Sequence, residues 1–393
     1  MSNNDCNLHI LIIPSWYPAF EGDIGGSFFR EQAHALKKAG NKVGVIYPQF
    51  RSITDIKGIY SKPYGIEYID DQGLPTYKYH HLAVPKIYSV RRARWIRYGL
   101  KLFDEYTKKF GLPDIIHVHS SVHAGHIALE IKSRYSIPYV VTEHSTSFAR
   151  DMIKKNELLI LRNIVTSSDY NIAVSQPFCD LLNRTFKVKS WNYIPNIVNS
   201  AFLNEDNKVS KKTFKYLSVS FLSEKKAIDN LIKAFSFIID EVPNAVLYIG
   251  GDGDERKSLE KLAKDLNLKN RVIFLGSLSR ERVKLEMAKS SVFVLPSRYE
   301  TFGVVLVEAL ALGKPVIATK CGGPESIVND KVGTLVEVDN IENLSKAMLD
   351  AYLDYDKYNS KDIRQYCIDN FSEESVISKL TDIYHSVLAG SWQ

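Results

Sequence analysis

The stretch that decides the fold is Val292–Val328, which reads VFVLPSRYETFGVVLVEALALGKPVIATKCGGPESIV. It predicts a buried strand that ends at Pro296, a short loop over 297–302, and a helix that begins at Gly303 and ends near Leu312. The first amides of such a helix have no partners within the helix and lie at the positive end of its dipole, so they can bind an anion. Glycine at position 303 lets a ligand approach the backbone closely.

Two glutamates belong to this stretch, Glu300 before the helix and Glu308 inside it. A rise of 1.5 Å per residue places Glu308 roughly 7 Å along the helix from Gly303, so the two carboxylates should not share one metal ion. They suit a long ligand with hydroxyl groups at both ends and an anionic middle, which is the layout of a nucleotide sugar. Spacing alone leaves an ordinary strand–loop–helix unit with two solvated glutamates as an equal alternative.

Apolar runs that read as strands alternate with helical patterns on both sides of a polar linker at 199–212. The first half predicts strands at Leu8–Pro14, Lys42–Tyr47, Asp114–His119, Pro138–Thr142, Asn171–Ser175 and Asn192–Ile194, with an irregular antiparallel insertion at Glu67–Ala83. The second half predicts strands at Tyr216–Ser220, Ala245–Gly250, Val272–Gly276, Val292–Pro296, Pro315–Thr319 and Thr334–Val338.

This alternation predicts two α/β domains that face each other, with ligands beyond the carboxyl ends of the strands, in the interdomain cleft. We assign an N-terminal, acceptor-side domain to residues 1–198 and the linker to 199–212. A C-terminal, nucleotide-sugar-binding domain takes 213–370. The remaining segment, 371–393, is an amphipathic helix that we expect to cross back to the N-terminal domain.

Composition narrows the class of protein. Of the 393 residues, 45% are hydrophobic and 24% charged, as in an ordinary globular protein. The net charge of +6 is too small to indicate nucleic-acid binding without a clustered basic face, but it suits an anionic ligand or membrane surface. The four cysteines are isolated in the sequence, which fits a reducing compartment. We find no signal peptide and no transmembrane segment, and we expect a cytoplasmic protein that can lie peripherally at the inner face of the membrane.

The 292–328 stretch resembles the E-x7-E signature of retaining glycosyltransferases of family 4, which have the GT-B fold. The resemblance extends over nearly the whole chain, from IPSWYPAFEGDIGGSFFREQAHALKKAGNKVGVI through DIIHVHS, VVTEHS, NIAVSQ and YIPNIVN to KKAIDNLIKAF, LYIGGDGDE and VIFLGSL. It implies two Rossmann-like, doubly wound domains, a nucleotide-diphosphate-sugar donor, retention of anomeric configuration, and chemistry with no metal and no other cofactor.

The resemblance also implies roles for residues at matching positions. Lys226 would neutralise the diphosphate leaving group, His144 would lie at the reacting face near the donor sugar, and Glu300 would hold the sugar hydroxyls. Glu308 would accept hydrogen bonds from the ribose. The other donor-binding positions are Gly25, Gly26, Gly276, Leu278, Phe302, Gly303 and Val304.

The chain departs from the family pattern near Lys226. Members usually have glycine and arginine where Ser220 and Phe221 stand here, so one phosphate-binding cation is missing. The glycine that usually follows the lysine is replaced by Ala227. Whether Arg298 replaces the missing arginine stays open from the sequence.

Three other patterns have alternative interpretations. Asp252 and Asp254 resemble a D-x-D metal site, but we favour a turn with a helix N-cap. The glycines at 250–253 hint at a dinucleotide loop, which Arg256 interrupts. Four histidines look like a metal cluster: His117, His119, His123 and His126. Because no acidic residue lies among them, we favour contact of a histidine with a ligand near the cleft.

The basic, aromatic stretch Lys86–Phe103 predicts a helix. Contact with an anionic membrane and packing on the N-domain sheet with a solvated basic face are equal alternatives for it. This stretch and the Trp16–Tyr17 loop are expected to shape the acceptor side.

The function that we expect is retaining sugar transfer from a nucleotide-diphosphate-sugar to a glycan or lipid-linked glycan, in bacterial surface polysaccharide synthesis. A nucleotide-sugar epimerase on the same fold and a non-catalytic nucleotide-sugar-binding protein are the alternatives.

Overall fold

A computed structural model describes residues 7–19, 23, 25–51, 64–83, 88–203 and 213–390. The chain divides into two compact units. The first comprises Met1–Val174, Cys179–Ile194 and Ile377–Gln393, and the second comprises Ser175–Phe178 and Pro195–Val376. The first residues of the predicted linker are structured, since Ser200–Phe202 forms a helical turn in the second unit. The rest of the linker, 204–212, lies outside the described residues.

The first unit is built on an eight-stranded sheet with the order β3-β4-β2-β1-β5-β6-β7-β8. Its strands are β1 His9–Pro14, β2 Lys42–Arg51, β3 Gly65–Asp71, β4 Leu74–Leu82, β5 Ile115–His119, β6 Tyr139–Glu143, β7 Tyr170–Ala173 and β8 Trp191–Tyr193. All neighbours are parallel except β3 and β4. The antiparallel pairing predicted at Glu67–Ala83 is therefore confirmed, but the expected irregularity is wrong, because the register from Gly65–His80 to Asp71–Leu74 is unbroken. Strand β2 extends beyond Tyr47 because it continues to pair with β4.

The helices of this half are α1 Ser27–Lys38, α2 Tyr88–Phe110, α3 Ala124–Tyr135, α4 Lys155–Ser167 and α5 Gln176–Phe186. Helix α2 contains the basic stretch, of which residues 86–87 lie outside the described part of the chain. Trp95 is buried on this helix and stacks on Phe50, with 5.5 Å between the ring centroids. Leu102 and Phe103 are also fully buried. Packing on the N-terminal unit is confirmed, while membrane contact stays a prediction.

The second unit is built on a six-stranded parallel sheet with the order β11-β10-β9-β12-β13-β14. Its strands are β9 Phe214–Val219, β10 Ala245–Gly250, β11 Val272–Gly276, β12 Val292–Leu295, β13 Val316–Thr319 and β14 Gly333–Val336. Its helices are α6 Ile228–Ile238, α7 Arg256–Asp265, α8 Arg280–Ala288, α9 Val304–Ala311, α10 Ile341–Leu353 and α11 Ser360–Phe371. Helix α12, Glu373–Leu388, ends the described chain.

The order of the second sheet reverses between β9 and β12, because the chain adds β10 and β11 on one side and β13 and β14 on the other. In open parallel sheets, ligands bind where such a reversal separates two loops at the carboxyl ends of the strands. Here one loop leads from β9 to Lys226, and the other leads from β12 to Glu300. The strands themselves are apolar and buried on both faces, as a parallel sheet between helices requires.

Among the described residues, no helix combines the length and the apolar character that a membrane crossing needs.

Candidate functional site

The predicted anion site at the start of α9 has the expected local structure. Gly303 caps the helix with φ 105°, a left-handed conformation that is strained for residues with a side chain. The first turn closes when the Leu306 amide donates to the Gly303 carbonyl at 2.9 Å. Phe302 is buried and packs edge-to-face on Phe371, with centroids 5.9 Å apart. Val304 begins the helix, so the amides of 303–305 are those that a helix leaves without internal partners.

Lys226 and Glu300 lie far apart in sequence but form an ion pair. Lys226 ends a short helical turn, Glu224–Lys226, and its Nζ donates to Glu300 Oε1. Ser297 Oγ donates to the same carboxylate oxygen at 2.9 Å. Both charged side chains are mostly buried, with 16% and 12% of their area exposed. The structure therefore unites two of the three predicted catalytic residues beside the start of α9.

Ala227, which follows the lysine, occupies a conformation that glycine favours. Its φ is +48°, and it forms both the end of the turn and the cap of α6. A left-handed residue with a Cβ costs roughly 1–2 kcal/mol, which the nearly complete burial of the Ala227 methyl group offsets in part. Alanine here therefore adopts a conformation that the usual glycine would adopt at lower cost.

Glu308 is fully buried on α9, with no exposed area. Arg280 Nη1 donates to Glu308 Oε1. The guanidinium of Arg280 also lies over the ring of Phe202, 5.2 Å from its centroid. Sequence reasoning did not select Arg280, because its position two residues after Leu278 gives no sign that the chain will pair it with α9.

Gly276 and Leu278 follow strand β11 in the same unit. Gly276 has φ 72°, and a Cβ added to it would meet open space. The Leu278 side chain lies against Gly250, where an added Cβ would be 2.7 Å from Leu278 Cδ1. This segment leads directly to Arg280, so the residues predicted to border the base and the partner of Glu308 are continuous in the chain.

The turn that contains Asp252 and Asp254 packs against the loop after β9. A Cβ on Gly251 would lie 1.8 Å from the Ser220 carbonyl oxygen, so only glycine fits. The turn interpretation is confirmed, but the N-cap assignment is wrong, since α7 is capped at Glu255 without a side-chain hydrogen bond. No group of three or more His, Cys, Asp or Glu in the described ranges is arranged to hold a metal ion.

Two residues bear on the missing arginine. Phe221 is 61% exposed and is not part of the core. Arg298 is held by other groups: its Nε donates to Asp339 Oδ1 at 2.7 Å, and its Nη1 donates to the Glu224 carbonyl at 2.5 Å. Arg298 therefore braces the turn that carries Lys226, and a role as the replacement phosphate ligand would require it to leave these partners.

In the first unit, Gly26 caps α1 in a left-handed conformation with φ 78°. An added Cβ would lie 3.0 Å from the Trp16 carbonyl oxygen, so the glycine allows the two loops to touch. The Gly25 amide donates to Asp23 Oδ1 at 2.9 Å, and the Ala19 amide donates to the other oxygen of that carboxylate. Residues 20–22 and 24 of this loop lie outside the described chain.

His144 is buried among aromatic rings at the end of β6. Phe29 lies edge-on to it at 4.8 Å, and its Nε2 lies 3.1 Å from His119 Nδ1. The other nitrogen of His119 is buried and has no hydrogen-bond partner among the described residues. His119 Nδ1 and His144 Nε2 share one hydrogen bond, and the tautomers of the two rings decide which nitrogen donates. Burial lowers the pKa of both imidazoles well below the usual range.

The other histidines of the suspected cluster have separate partners. His117 Nε2 lies 2.7 Å from Thr142 Oγ1, and its Nδ1 lies 2.6 Å from the hydroxyl of Tyr384 on α12. His123 stacks on Trp95 with centroids 4.9 Å apart. His119 bonds to His144, and Tyr384 was not anticipated as a partner of this strand.

Beside His144, Glu143 has its carboxylate fully satisfied. It accepts from the amides of His144 and Ser145, both at 2.9 Å, and from the amide and hydroxyl of Ser121. These bonds fix the turn after β6 and hence the position of the His144 ring.

Comparison with known proteins covers both units. The family model described as Glycosyltransferase Family 4 matches residues 25–202, and the one described as Glycosyl transferases group 1 matches residues 200–370. N-acetyl-alpha-D-glucosaminyl L-malate synthase of Bacillus anthracis is 28% identical over 292 residues, which is 70% of this chain and 75% of that protein. The putative teichuronic acid biosynthesis glycosyltransferase TuaC of Bacillus subtilis is 27% identical, over 87% of this chain and 88% of its own length.

Among solved structures, Anabaena HepE in complex with UDP and glucose superposes with a TM-score of 0.74 at 18% identity. The match covers 96% of this chain and 100% of that one. At this identity the likeness concerns the fold alone.

Proposed function

Because this chain belongs to the glycosyltransferases of family 4 and has their GT-B fold, we propose that it transfers a sugar from a nucleotide-diphosphate-sugar with retention of anomeric configuration. The observation that carries the proposal is the Lys226–Glu300 pair beside the start of α9. A cation, a carboxylate and the free amides of a helix suit the two chemical parts of such a donor. The amides and the lysine suit the diphosphate, and the carboxylate suits the sugar hydroxyls.

In the proposed reaction, the bond between the anomeric carbon and the diphosphate oxygen breaks, and the acceptor oxygen bonds to that carbon from the same face. The departing diphosphate takes the acceptor proton, so charge and atoms balance without a protein nucleophile. Negative charge grows on the diphosphate, and the α9 amides with Lys226 stabilise it because they are already oriented. His144 would contact the donor sugar, and Gly25 and Gly26 would bring backbone amides to the phosphates.

We assign the nucleoside end of the donor to the second unit. Glu308 would accept from the ribose hydroxyls, and the segment that begins at Gly276 would border the base. The complex of HepE with UDP supports a nucleotide donor. The reaction as proposed needs no metal, since the cations and amides of the chain supply the positive charge.

For the acceptor we propose a glycan or lipid-linked glycan of a bacterial surface polysaccharide. The relation to a putative teichuronic acid glycosyltransferase supports this class. The exposed side of α2, which carries Arg91, Arg97 and Lys101, suits an anionic membrane where a lipid-linked acceptor would reside. We therefore propose a peripheral, cytoplasmic enzyme at the inner face of the membrane.

A thermal-shift screen with UDP-, GDP- and ADP-sugars tests the donor assignment. A ligand at a hundred times its Kd stabilises a protein by about 2.7 kcal/mol, so the right donor should raise the Tm clearly. The donor found is then incubated with a glycan acceptor, and NMR gives the anomeric configuration of the product. An inverted product would contradict the retaining mechanism.

Three control reactions separate the alternatives. A changed sugar after incubation with donor alone would indicate an epimerase, and binding without turnover on any acceptor would indicate a binding protein. Activity should survive EDTA. Turnover that EDTA abolishes and magnesium or manganese restores would overturn the metal-independent step and return attention to Asp252 and Asp254.

A further inference from the structure

Arg280 lies beside Glu308, and the family resemblance assigns no role to it. It is the first residue of α8 and reaches Glu308 on α9 with Nη1. Glu308 has no exposed area, whereas 32% of the Arg280 side chain is exposed. The arginine side chain therefore extends from the protein surface to a fully buried carboxylate.

A buried carboxylate stays ionised only when a cation or several donors compensate for its lost hydration. Arg280 supplies such a cation through its ion pair with Glu308. An ionised carboxylate accepts hydrogen bonds with both oxygens, while a protonated one must donate from one of them. Hydrogen bonds to a charged acceptor are also worth roughly twice those to a neutral one. The arginine thus favours the state in which Glu308 acts as a strong acceptor.

The guanidinium is held in place by a second contact. It lies over the ring of Phe202, which is only 2% exposed and belongs to the helical turn Ser200–Phe202. The planar guanidinium can stack on this ring and donate in its plane to the carboxylate, which the compact ammonium of lysine cannot do equally well. The Arg280 guanidinium therefore contacts Phe202 and Glu308 at the same time.

We infer that Arg280 is a positioning residue for ribose recognition: stacked on Phe202, it keeps the Glu308 carboxylate ionised and oriented to accept from the two ribose hydroxyls of the donor nucleotide. This deepens the proposed function and rests on it, because it assumes that a nucleoside diphosphate binds beside Glu308.

The test measures the ratio of two Kd values, one for a nucleoside diphosphate and one for the same nucleotide without its 2′ and 3′ hydroxyl groups. Kd values are measured by calorimetry for UDP, GDP and ADP and for their 2′,3′-dideoxy counterparts, with wild-type protein, Arg280→Met and Arg280→Lys. Methionine keeps an apolar contact with Phe202 but removes the positive charge. Lysine keeps the positive charge but lacks the planar guanidinium group. Arg282→Met is the matched control, because Arg282 lies on the same helix and pairs with Glu286 instead.

In the wild type and in Arg282→Met, we expect the bound nucleotide to be preferred over its dideoxy form by about tenfold or more. In Arg280→Met this preference should fall to roughly twofold, and Arg280→Lys should lie between. A general loss of structure would weaken both nucleotides together and leave the ratio unchanged. A ratio in Arg280→Met equal to that of the wild type would overturn the inference while the proposed function stands. If wild-type protein binds none of the three diphosphates, the proposed function fails, and the inference fails with it.

Discussion

At the scale of single residues, the paired Lys226 is the cation whose loss should affect chemistry most. Lys226→Ala removes the donor that we propose to face the charge that develops on the diphosphate. Loss of one such donor costs on the order of 3 kcal/mol, or about a hundredfold in kcat. Steady-state kinetics of this variant should be compared with Lys225→Ala, which removes the neighbouring lysine. Near-normal kcat in Lys226→Ala would show that another cation fills the role.

Phe221 occupies the position of the arginine that the family usually has. Because it is 61% exposed, Phe221→Arg should not bury a charge, and the Tm should change by less than the equivalent of ~0.5 kcal/mol. The added guanidinium should tighten binding of the nucleoside diphosphate severalfold, since it can bind phosphate through two donors. Phe237→Arg is the control, with 62% exposure on α6. Equal affinities of the two variants would contradict a phosphate site beside Phe221.

At the scale of elements, the loop that begins α9 is held by the loop after β13. The Gly323 amide donates to the Glu300 carbonyl at 2.9 Å, and a Cβ on Gly323 would lie 2.3 Å from the Phe302 carbonyl oxygen. Gly323→Ala should therefore push the 300–302 loop away and weaken nucleotide binding as well as stability. Gly111→Ala is a useful comparison, because Gly111 lies far from Gly323 in the sequence. Its φ of 81° would strain an alanine there, but the added Cβ would meet no other atom. It should lower Tm without changing the Kd for nucleotide, and an unchanged Kd in Gly323→Ala would contradict the coupling of the two loops.

The elements also show what could be predicted from the sequence. Strands such as β1 and β12 are apolar on both faces and short, so their positions followed from the pattern. The α9 anion site followed from a local strand–glycine–helix order. The pairing of Arg280 with Glu308, by contrast, joins two helices whose proximity depends on the order of the sheet and leaves no local signal. The same reason hid Tyr384 as the partner of His117.

At the scale of the whole molecule, buried histidines should make stability depend on pH. Burial lowers the pKa of His117 to about 3, and burial with a nearby arginine lowers the pKa values of His123 and His126 to about 4. Below pH 6.5, the ordinary pKa of histidine, these histidines bind protons in the unfolded chain but stay neutral in the native state. The free energy of unfolding should therefore fall between about pH 6.5 and 4, by at most about 1.4 kcal/mol per pH unit for each histidine, and stay level above pH 6.5 as far as these groups decide it.

Urea unfolding at pH 7.5, 6.0 and 5.0 measures this dependence. His123→Phe preserves the ring against Trp95 and removes one titrating group, so its stability should fall less steeply with acid than that of the wild type. Parallel profiles for the two proteins would show that His123 does not contribute.

The hydrogen bond between Tyr384 and His117 has a consequence for how the protein is made. The ribosome delivers β5 early, whereas Tyr384 lies near the end of the chain, with nearly the whole second unit synthesised in between. Throughout that interval the nascent first unit lacks the residues from Ile377 onward that belong to it. Its buried imidazole has no tyrosine hydroxyl until the second unit has been translated. The first unit therefore begins before the second and is completed after it, and a chain that stopped before Ile377 would leave the first unit unfinished.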